Sequence, residues 1–343
     1  VSSLVPLANW HNPSKRRLEA IRAAHERDEA ALLELHQAYL LLKSRKRAAT
    51  SPKTLELYQV AVRDYLAWAW PPESPGPRVE ILKATGDDLD RWIAELQTQG
   101  SHLRPDAFAL RPGSIATYLA AVRSFYRALA WAGASQVPQS HAPRDPTPAH
   151  ERRPALPLEL YRRLLAYLES SEPAHRRDRL AVRLMGEAGL RISEVVHLKL
   201  QDWHPAERLL EVRGKGGKLR SVPLSKSLTE ELEAWLQLRL AHVKAGENHV
   251  FVNLGGRKGH GRGMSEKALR ESLNHHYRTL GFPSRYYGAH MLRHTAGTRF
   301  YKASRDLHAT ARLLGHANVN TSAIYAKMDL EGLFAVVDRL EEA

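Results

Sequence analysis

Residues Arg208 to Leu224 read RLLEVRGKGGKLRSVPL. Two short apolar-rich runs flank a Gly-rich basic turn, which is the pattern of a β-hairpin. The hairpin decides the fold class, because nearly every other segment of the 343 residues carries helical periodicity. With HVFVN (249–253) expected as a third strand, it makes the second half of the chain α+β. The hairpin tip is also chemically marked. Lys215 and Lys218 sit among glycines, which let a backbone come close to an anion. A lysine on such a turn is most often only solvated, so the rest of the chain must decide whether it has a role.

Upstream of the hairpin the chain reads as helices. RLEAIRAAHERDEAALLELHQAYLLLKSR (17–45) has no Gly or Pro and predicts one long helix. Ser51 and Pro52 open a second helix through KTLELYQVAVRDYLAWAW, with Leu55, Tyr58, Val62, Tyr65, Leu66 and Ala69 on one face. TGDDLDRWIAELQTQG predicts a third, with an acidic entry and Gly100 at its exit. Ser114 is expected to cap a fourth, IATYLAAVRSFYRALAWAG, which Gly133 stops. Prolines 138, 143, 146, 148, 154 and 157 then forbid a helix or a central strand. The expected organisation is an N-terminal helical extension (1–50), a helical domain (51–133), a Pro-rich linker (134–157) and a second domain (158–343). The whole is mainly α, two domains, with one small antiparallel sheet.

Charge narrows the partner. There are 51 Lys and Arg against 37 Asp and Glu, a formal net charge of +14. Small neutral metabolites need no such field; nucleic acid does. The basic runs KSRKR (43–47), RGKGGKLR (213–220) and GGRKGHGRG (255–263) nominate Arg45, Lys46, Arg47, Lys218, Arg220, Arg257, Lys258 and Arg262 for DNA contact, and Lys53, shortly after the first run, joins them. Cysteine is absent, so disulfides and thiolate metal sites are excluded, as suits a reducing interior. No apolar run approaches the roughly 18 residues of a membrane span. VSSLVPLANWHNPSKRR shows no signal-peptide core, so a cytoplasmic protein is expected, and the basic charge adds the expectation that it is nucleoid-associated.

Four segments of the second domain carry candidate chemistry. In GLRISEVVHLKLQDW, a turn at Gly189 presents Arg191, with Ser193 expected to cap the next helix. The hairpin carries Lys215. In HMLRHTAGTRF, His290, Arg293 and His294 recur at helical spacing. The His290–His294 pair could hold zinc, but Met291 stands where a zinc protease helix carries its glutamate. The fourth is ATARLLGHANVNTSAIYAKM (309–328), with His316 and, nine residues on, Tyr325. A tyrosine is usually a packing residue with a wet hydroxyl. By itself this stretch also passes for a helix-turn-helix, with 315–320 as its turn and TSAIYAKM as recognition helix. That alternative explains the basic charge and leaves Arg191, Lys215, His290 and Arg293 unexplained.

In this order, GLRISE, GKGGK…VPL, HMLRHT, LLGH and Tyr325 resemble the tyrosine recombinases, also called the phage integrase family, and most of all the bacterial Xer-type recombinases. Arg191 and Lys215 are 24 residues apart, and Arg293 and His316 are 23 apart. The likeness spans 189–328 and extends more loosely to 51–133, which is similar to the family's SAM-like core-binding domain. It implies that Arg191 and Arg293 clamp a phosphate. Lys215 would protonate the leaving 5′ oxygen, His290 act as the acid/base histidine, His316 donate to the phosphate and Tyr325 attack it. It implies a double-stranded DNA partner with a two-arm site, a dimer on each site, a tetramer in the synapse and strand exchange through a Holliday junction. Other readings are a DNA-binding protein with an unused active site and a type IB-like topoisomerase. A second recombinase or an activator is left open.

The sequence departs from the family pattern at Gly297, where a small alanine is usual, in the long loop QTQGSHLRPDAFALRPG, and in the leading helix. None of these is expected to touch a catalytic position. The tail AKMDLEGLFAVVDRLEEA predicts an amphipathic helix from about residue 329, with Leu330, Leu333, Phe334, Val337 and Leu340 on one face. The resemblance implies that it docks on a neighbouring subunit.

The chemistry implied is self-consistent. A phosphodiester anion repels nucleophiles, and two arginines can neutralise it. Only about one tyrosine in a thousand is ionised at pH 7, so the phenol needs a base or a strongly cationic site. Side chains supply the positive charge, so no metal or other cofactor is called for. DNA cleavage is expected to proceed unchanged in excess EDTA; activity lost to chelator and restored by zinc would revive the His290–His294 metal site.

Overall fold

The computed structural model describes residues 10–45, 47–104, 108–147, 154–214, 217–255, 259–315, 318–323 and 325. The chain divides into two compact units, Val1–Pro146 and Thr147–Ala343. The first unit is built of helices α1 (Pro13–His25), α2 (Glu29–Leu42), α3 (Pro52–Ala69), α4 (Gly86–Thr98) and α5 (Pro112–Trp131).

The single helix expected over 17–45 is instead two. Arg27 takes a left-handed backbone (φ 56°), and the Asp28 carboxylate accepts the Ala31 N–H to cap α2. A side chain that can bond the backbone locally competes with helix continuation, and here it wins. Arg22 reinforces the break by pairing with Glu19, Glu26 and Asp28. Ser51 caps α3 as expected. Thr85 and Asp88 form a capping box on α4. The fourth expected helix starts earlier than Ser114: Arg111 is the N-cap and Pro112 is the first helical residue. Proline's fixed φ suits that position and loses no needed N–H.

The core of this unit is aromatic. The Tyr65 and Tyr126 hydroxyls meet at 2.7 Å, and Trp92 packs edge-on against Tyr65. Asp64, on the buried side of α3, was not expected inside. Its carboxylate accepts from Trp92 Nε1 at 3.4 Å, from the Leu103 N–H at 3.4 Å and from the Ser101 hydroxyl. It thereby holds the start of the long loop after α4. Residues 134–147 form no helix or strand. Within the first unit, Ser140 donates to Asp90 at 2.6 Å, and the Gln139 carbonyl presses on Gly86, where a Cβ would overlap it.

The second unit contains α6 (Leu158–Tyr167), α7 (Pro173–Gly186), α8 (Ile192–Val196), α9 (Lys226–Arg239), α10 (Glu266–Thr279), α11 (Ala289–Ser304) and α12 (Leu307–Leu314). Its antiparallel sheet has the order β1 (Trp203–His204), β2 (Leu209–Arg213), β3 (Leu219–Pro223). The hairpin is as expected, with Val212 opposite Arg220. The third strand is not HVFVN. That run makes two isolated bridges, Lys199↔His249 and Val252↔Gly263. Val250, Phe251 and Val252 are wholly buried, and Trp235 Nε1 donates to the Val250 carbonyl at 2.9 Å. A short apolar run signals burial, and periodicity alone does not say which partner will bury it. Among the described residues no helix is long and apolar enough to cross a membrane.

The buried Asp64 yields a stability prediction. Asp64→Ala strands the Trp92 and Ser101 donors and is expected to destabilise the protein by about 2 to 3 kcal/mol. Asp64→Asn, which keeps one acceptor oxygen, should lose less. Denaturant melts of both variants check this, and equal losses would remove the hydrogen bonds as the cause.

Candidate active site

Three short devices bring the candidate residues together. Gly189, in the left-handed region (φ 72°) and too close to Leu314 for a Cβ, turns the chain into α8. Ser193 is not the cap of α8. Arg191 is the N-cap, and its own N–H donates to Glu194 Oε2 at 2.8 Å. Gly288 (φ 104°) precedes α11, which carries His290, Arg293, His294 and Gly297. Gly315 (φ 61°) ends α12 just before His316.

The centre of the site is Glu194, whose side chain is 2% exposed. Its Oε1 accepts from Arg191 at 2.7 Å and from Arg220 at 2.9 Å. Its Oε2 accepts a second bond from Arg220, also at 2.9 Å, and lies 4.0 Å from Arg293. Burial works against the charged carboxylate, but Arg220 and Arg191 outweigh it and hold its pKa below the ordinary range. Among the described residues these three guanidiniums share that single carboxylate. The cluster therefore keeps an excess of positive charge, which an anion would satisfy.

The same arginines close the end of α12. Arg220 Nε donates to the Leu313 carbonyl at 3.2 Å, Arg293 to those of Leu314 and Gly189, and Arg191 to that of Gly315 at 3.5 Å. The last carbonyls of a helix lack internal partners and carry its negative pole, so cationic donors suit them. Burial, and next the like charge of Arg191, pull the Arg293 guanidinium down to about 10, still protonated at neutral pH.

Tyr325 is 1% exposed. Its ring lies against Gly297, where a Cβ would come within 2.7 Å of both ε carbons. The expectation that Gly297 touches no catalytic position is therefore wrong for the proposed nucleophile. Gly297 lies four residues after Arg293 on one helix face, a periodicity that could have revealed it. The Tyr325 hydroxyl is 3.3 Å from His294 Nδ1. Burial pushes the phenol up to about 12, and the positive charges of Arg293 and Arg191 oppose that rise. The tyrosine thus sits within the arginines' field, packed on α11 rather than displayed on a recognition helix.

Other nominated residues are placed as follows. His290 is exposed on α11. Arg45, Arg47, Lys53, Lys218 and Arg262 are exposed. Arg220, nominated for DNA contact, has its guanidinium committed to Glu194 and Leu313. The alternation of β3 signals this, because Arg220 shares a face with buried Val222. Lys46, Lys215, Arg257, Lys258, His316 and the expected tail helix from about 329 lie outside the described residues. No group of three or more His, Asp or Glu side chains among the described residues is arranged to hold a metal ion.

The Gly297 contact predicts the effect of a methyl group. Gly297→Ala should force the Tyr325 ring from its seat, an overpacking cost of about 1 to 3 kcal/mol. Better helix propensity returns up to about 1 kcal/mol of it. Tetranitromethane labelling read by peptide mass spectrometry should show severalfold more nitration of Tyr325 than in the unmodified protein. Unchanged nitration would mean that the seat accommodates the methyl.

Residues 155–331 match the phage integrase family, and residues 34–133 match the phage integrase N-terminal SAM-like domain. Tyrosine recombinase XerC of Azotobacter vinelandii is 33% identical over 255 residues, 73% of this chain and 78% of that protein. Tyrosine recombinase XerC of Chromobacterium violaceum is 33% identical over 293 residues, 85% of this chain and 89% of that one. Tyrosine recombinase XerD of Lacticaseibacillus casei is 30% identical over 263 residues, 73% and 88%. Among solved structures, XerH bound to palindromic difH in a post-cleavage complex superposes with a TM-score of 0.66 at 18% identity, covering 96% of this chain and 97% of that one. At that identity the likeness establishes the fold. With its family match spanning more than half of its length, the chain belongs to the phage integrase family, the tyrosine recombinases.

Proposed function

We propose that this protein is a site-specific DNA recombinase that cuts and rejoins duplex DNA through a 3′-phosphotyrosine intermediate. The observation that carries the assignment is the convergence of Arg191, Arg220 and Arg293 on one buried carboxylate beside Tyr325. Such a site attracts a phosphodiester and stabilises the extra negative charge of its transition state. Arg191 and Arg293 are assigned to the non-bridging oxygens, with His316 as a further donor. The Tyr325 oxygen attacks phosphorus, the P–O5′ bond breaks, and Lys215 hands a proton to the departing 5′ oxygen. His290 serves as the acid/base histidine. The ester keeps the energy of the broken bond, so attack by a 5′ hydroxyl reverses the step without ATP.

The relatives are named tyrosine recombinases, and XerH is seen with its difH substrate. By that likeness, two protomers occupy a two-arm site, four assemble in the synapse, and strands exchange in pairs through a Holliday junction. The basic surface residues Arg45, Arg47, Lys53, Lys218 and Arg262 are assigned to DNA backbone contact. Domain limits of 51–133 and 158–343, joined by 134–157, fit this division of labour. The expected setting is the cytoplasm, on nucleoid DNA.

A nicked target site that loses a short fragment on cleavage tests the assignment. The unmodified chain should form a protein–DNA adduct that survives denaturant. Tyr325→Phe should bind equally and form none. Arg191→Ala should form it some 10² to 10³ times more slowly, the usual effect of losing one charge-stabilising group. An adduct in the Phe variant would place the nucleophile elsewhere.

A further inference from the structure

The tyrosine's hydroxyl poses a problem that the family motifs leave unsolved in this structure. Its phenol is held neutral by burial, and the side chain has almost no contact with solvent. Bulk water or hydroxide therefore has poor access to the proton that must leave before or during attack. An acceptor inside the protein is needed, within hydrogen-bond reach of the oxygen.

His294 is such a group. His294 Nδ1 lies 3.3 Å from the Tyr325 hydroxyl, and the two rings are tilted by 56° with centroids 5.9 Å apart. Two contacts and one shared helix fix the tyrosine in that relation. Gly297 backs the ring, the Tyr325 N–H donates to the Ser322 carbonyl at 3.0 Å, and α11 carries both Gly297 and His294. The histidine is one turn from His290 and adjacent to Arg293, so it is built into the helix that holds the clamp. Resting hydrogen bonds at catalytic centres are often long and tighten when substrate arrives.

We propose that His294, in place of His290, is the proton acceptor for the tyrosine nucleophile, a catalytic residue additional to the six motif positions. The inference rests on Tyr325 being the nucleophile. In the forward step the Tyr325 O–H proton moves to neutral His294 Nδ1, the Tyr325 oxygen bonds to phosphorus, and the P–O5′ bond breaks with the 5′ oxygen protonated by Lys215. In rejoining, the 5′ hydroxyl attacks phosphorus and gives its proton back to neutral Lys215, the P–O bond to Tyr325 breaks, and His294 returns its proton to the departing phenolate. Proton and charge are conserved in each direction. His294 becomes cationic only as the phosphoryl group gains negative charge. Arg293 on the same helix and Arg191 at the start of α8 favour the phenolate. Glu194, which the two arginines approach, moderates their field. Arg220, from β3, is tied to that same carboxylate, and His290 stands one turn earlier on α11.

The experiment is single-turnover cleavage of the nicked site by the full chain between pH 6 and 9, with rates read on the bound fraction so that losses in folding or binding drop out. His294→Asn places an amide oxygen near the position of Nδ1: it can accept the hydrogen bond and cannot take the proton. Its cleavage is expected to be roughly 10² times slower at pH 7. Its rate should then climb about tenfold per pH unit, because only phenolate already present can react. The unmodified protein should level off once the imidazole is neutral, so the defect shrinks as pH rises. A His294→Asn profile parallel to that of the unmodified protein, whether at full rate or uniformly reduced, overturns the proposal, because a positioning role alone predicts that shape. Tyr325→Phe separates the two assignments. An adduct in that variant removes the nucleophile and with it this inference. Loss of the adduct together with a parallel His294→Asn profile removes only the role of His294.

Discussion

The arrangement of the catalytic unit depends on one buried carboxylate. Glu194 fixes the backbone of Arg191 through its N–H and the side chain of Arg191 through its guanidinium, and it pins Arg220 of β3 with two parallel bonds. A carboxylate this deeply buried is tolerable only because it is fully paired, and removing it would leave several cations facing one another. The pairings reach outward to the Leu313, Leu314 and Gly315 carbonyls through the same three arginines. Segments from α8, β3, α11 and α12, distant in sequence, are thereby held as one electrostatic unit.

That unit has a second property. Its arginines satisfy Glu194 and the helix carbonyls yet retain surplus positive charge. A resting enzyme that must bind a phosphodiester needs donors that are already oriented, since orienting long side chains at the moment of reaction would consume binding energy. The internal pairs supply that orientation. They also explain why Arg220 is half-buried although it lies in a basic run: its partners are inside the protein.

Tyr325 shows the complementary constraint. Burial raises its pKa, which suppresses adventitious reactivity, while Arg293 and Arg191 pull the other way. The ring fits only because residue 297 lacks a Cβ. Helix α11 thus contributes an arginine of the cationic cluster at 293, a hydrogen-bond partner at 294 and a vacant Cβ position at 297, three features spaced along fewer than two turns.

Much was legible in the sequence alone. The hairpin followed from Gly-rich turn chemistry between two short apolar runs, and most helices from their periodicity, with the cap legible at Ser51 and misplaced at Ser114 and Ser193, because these are local interactions. The order of the arginine, lysine, histidine and tyrosine motifs resembled the tyrosine recombinases, and that resemblance implied phosphoryl transfer on DNA. Local rules failed where a competing local bond intervened, as at Asp28, or where a partner lay far along the chain. Nothing in RGKGGKLR distinguishes a solvated Arg220 from one bound to Glu194, and nothing in HTAGT says that Gly297 faces Tyr325. The third strand was misplaced for the same reason: HVFVN declares itself buried without naming what covers it. Which charges pair, which glycine makes room and which histidine meets the tyrosine were decided only when α8, β3, α11 and α12 packed together, because close approach and desolvation are properties of the folded neighbourhood.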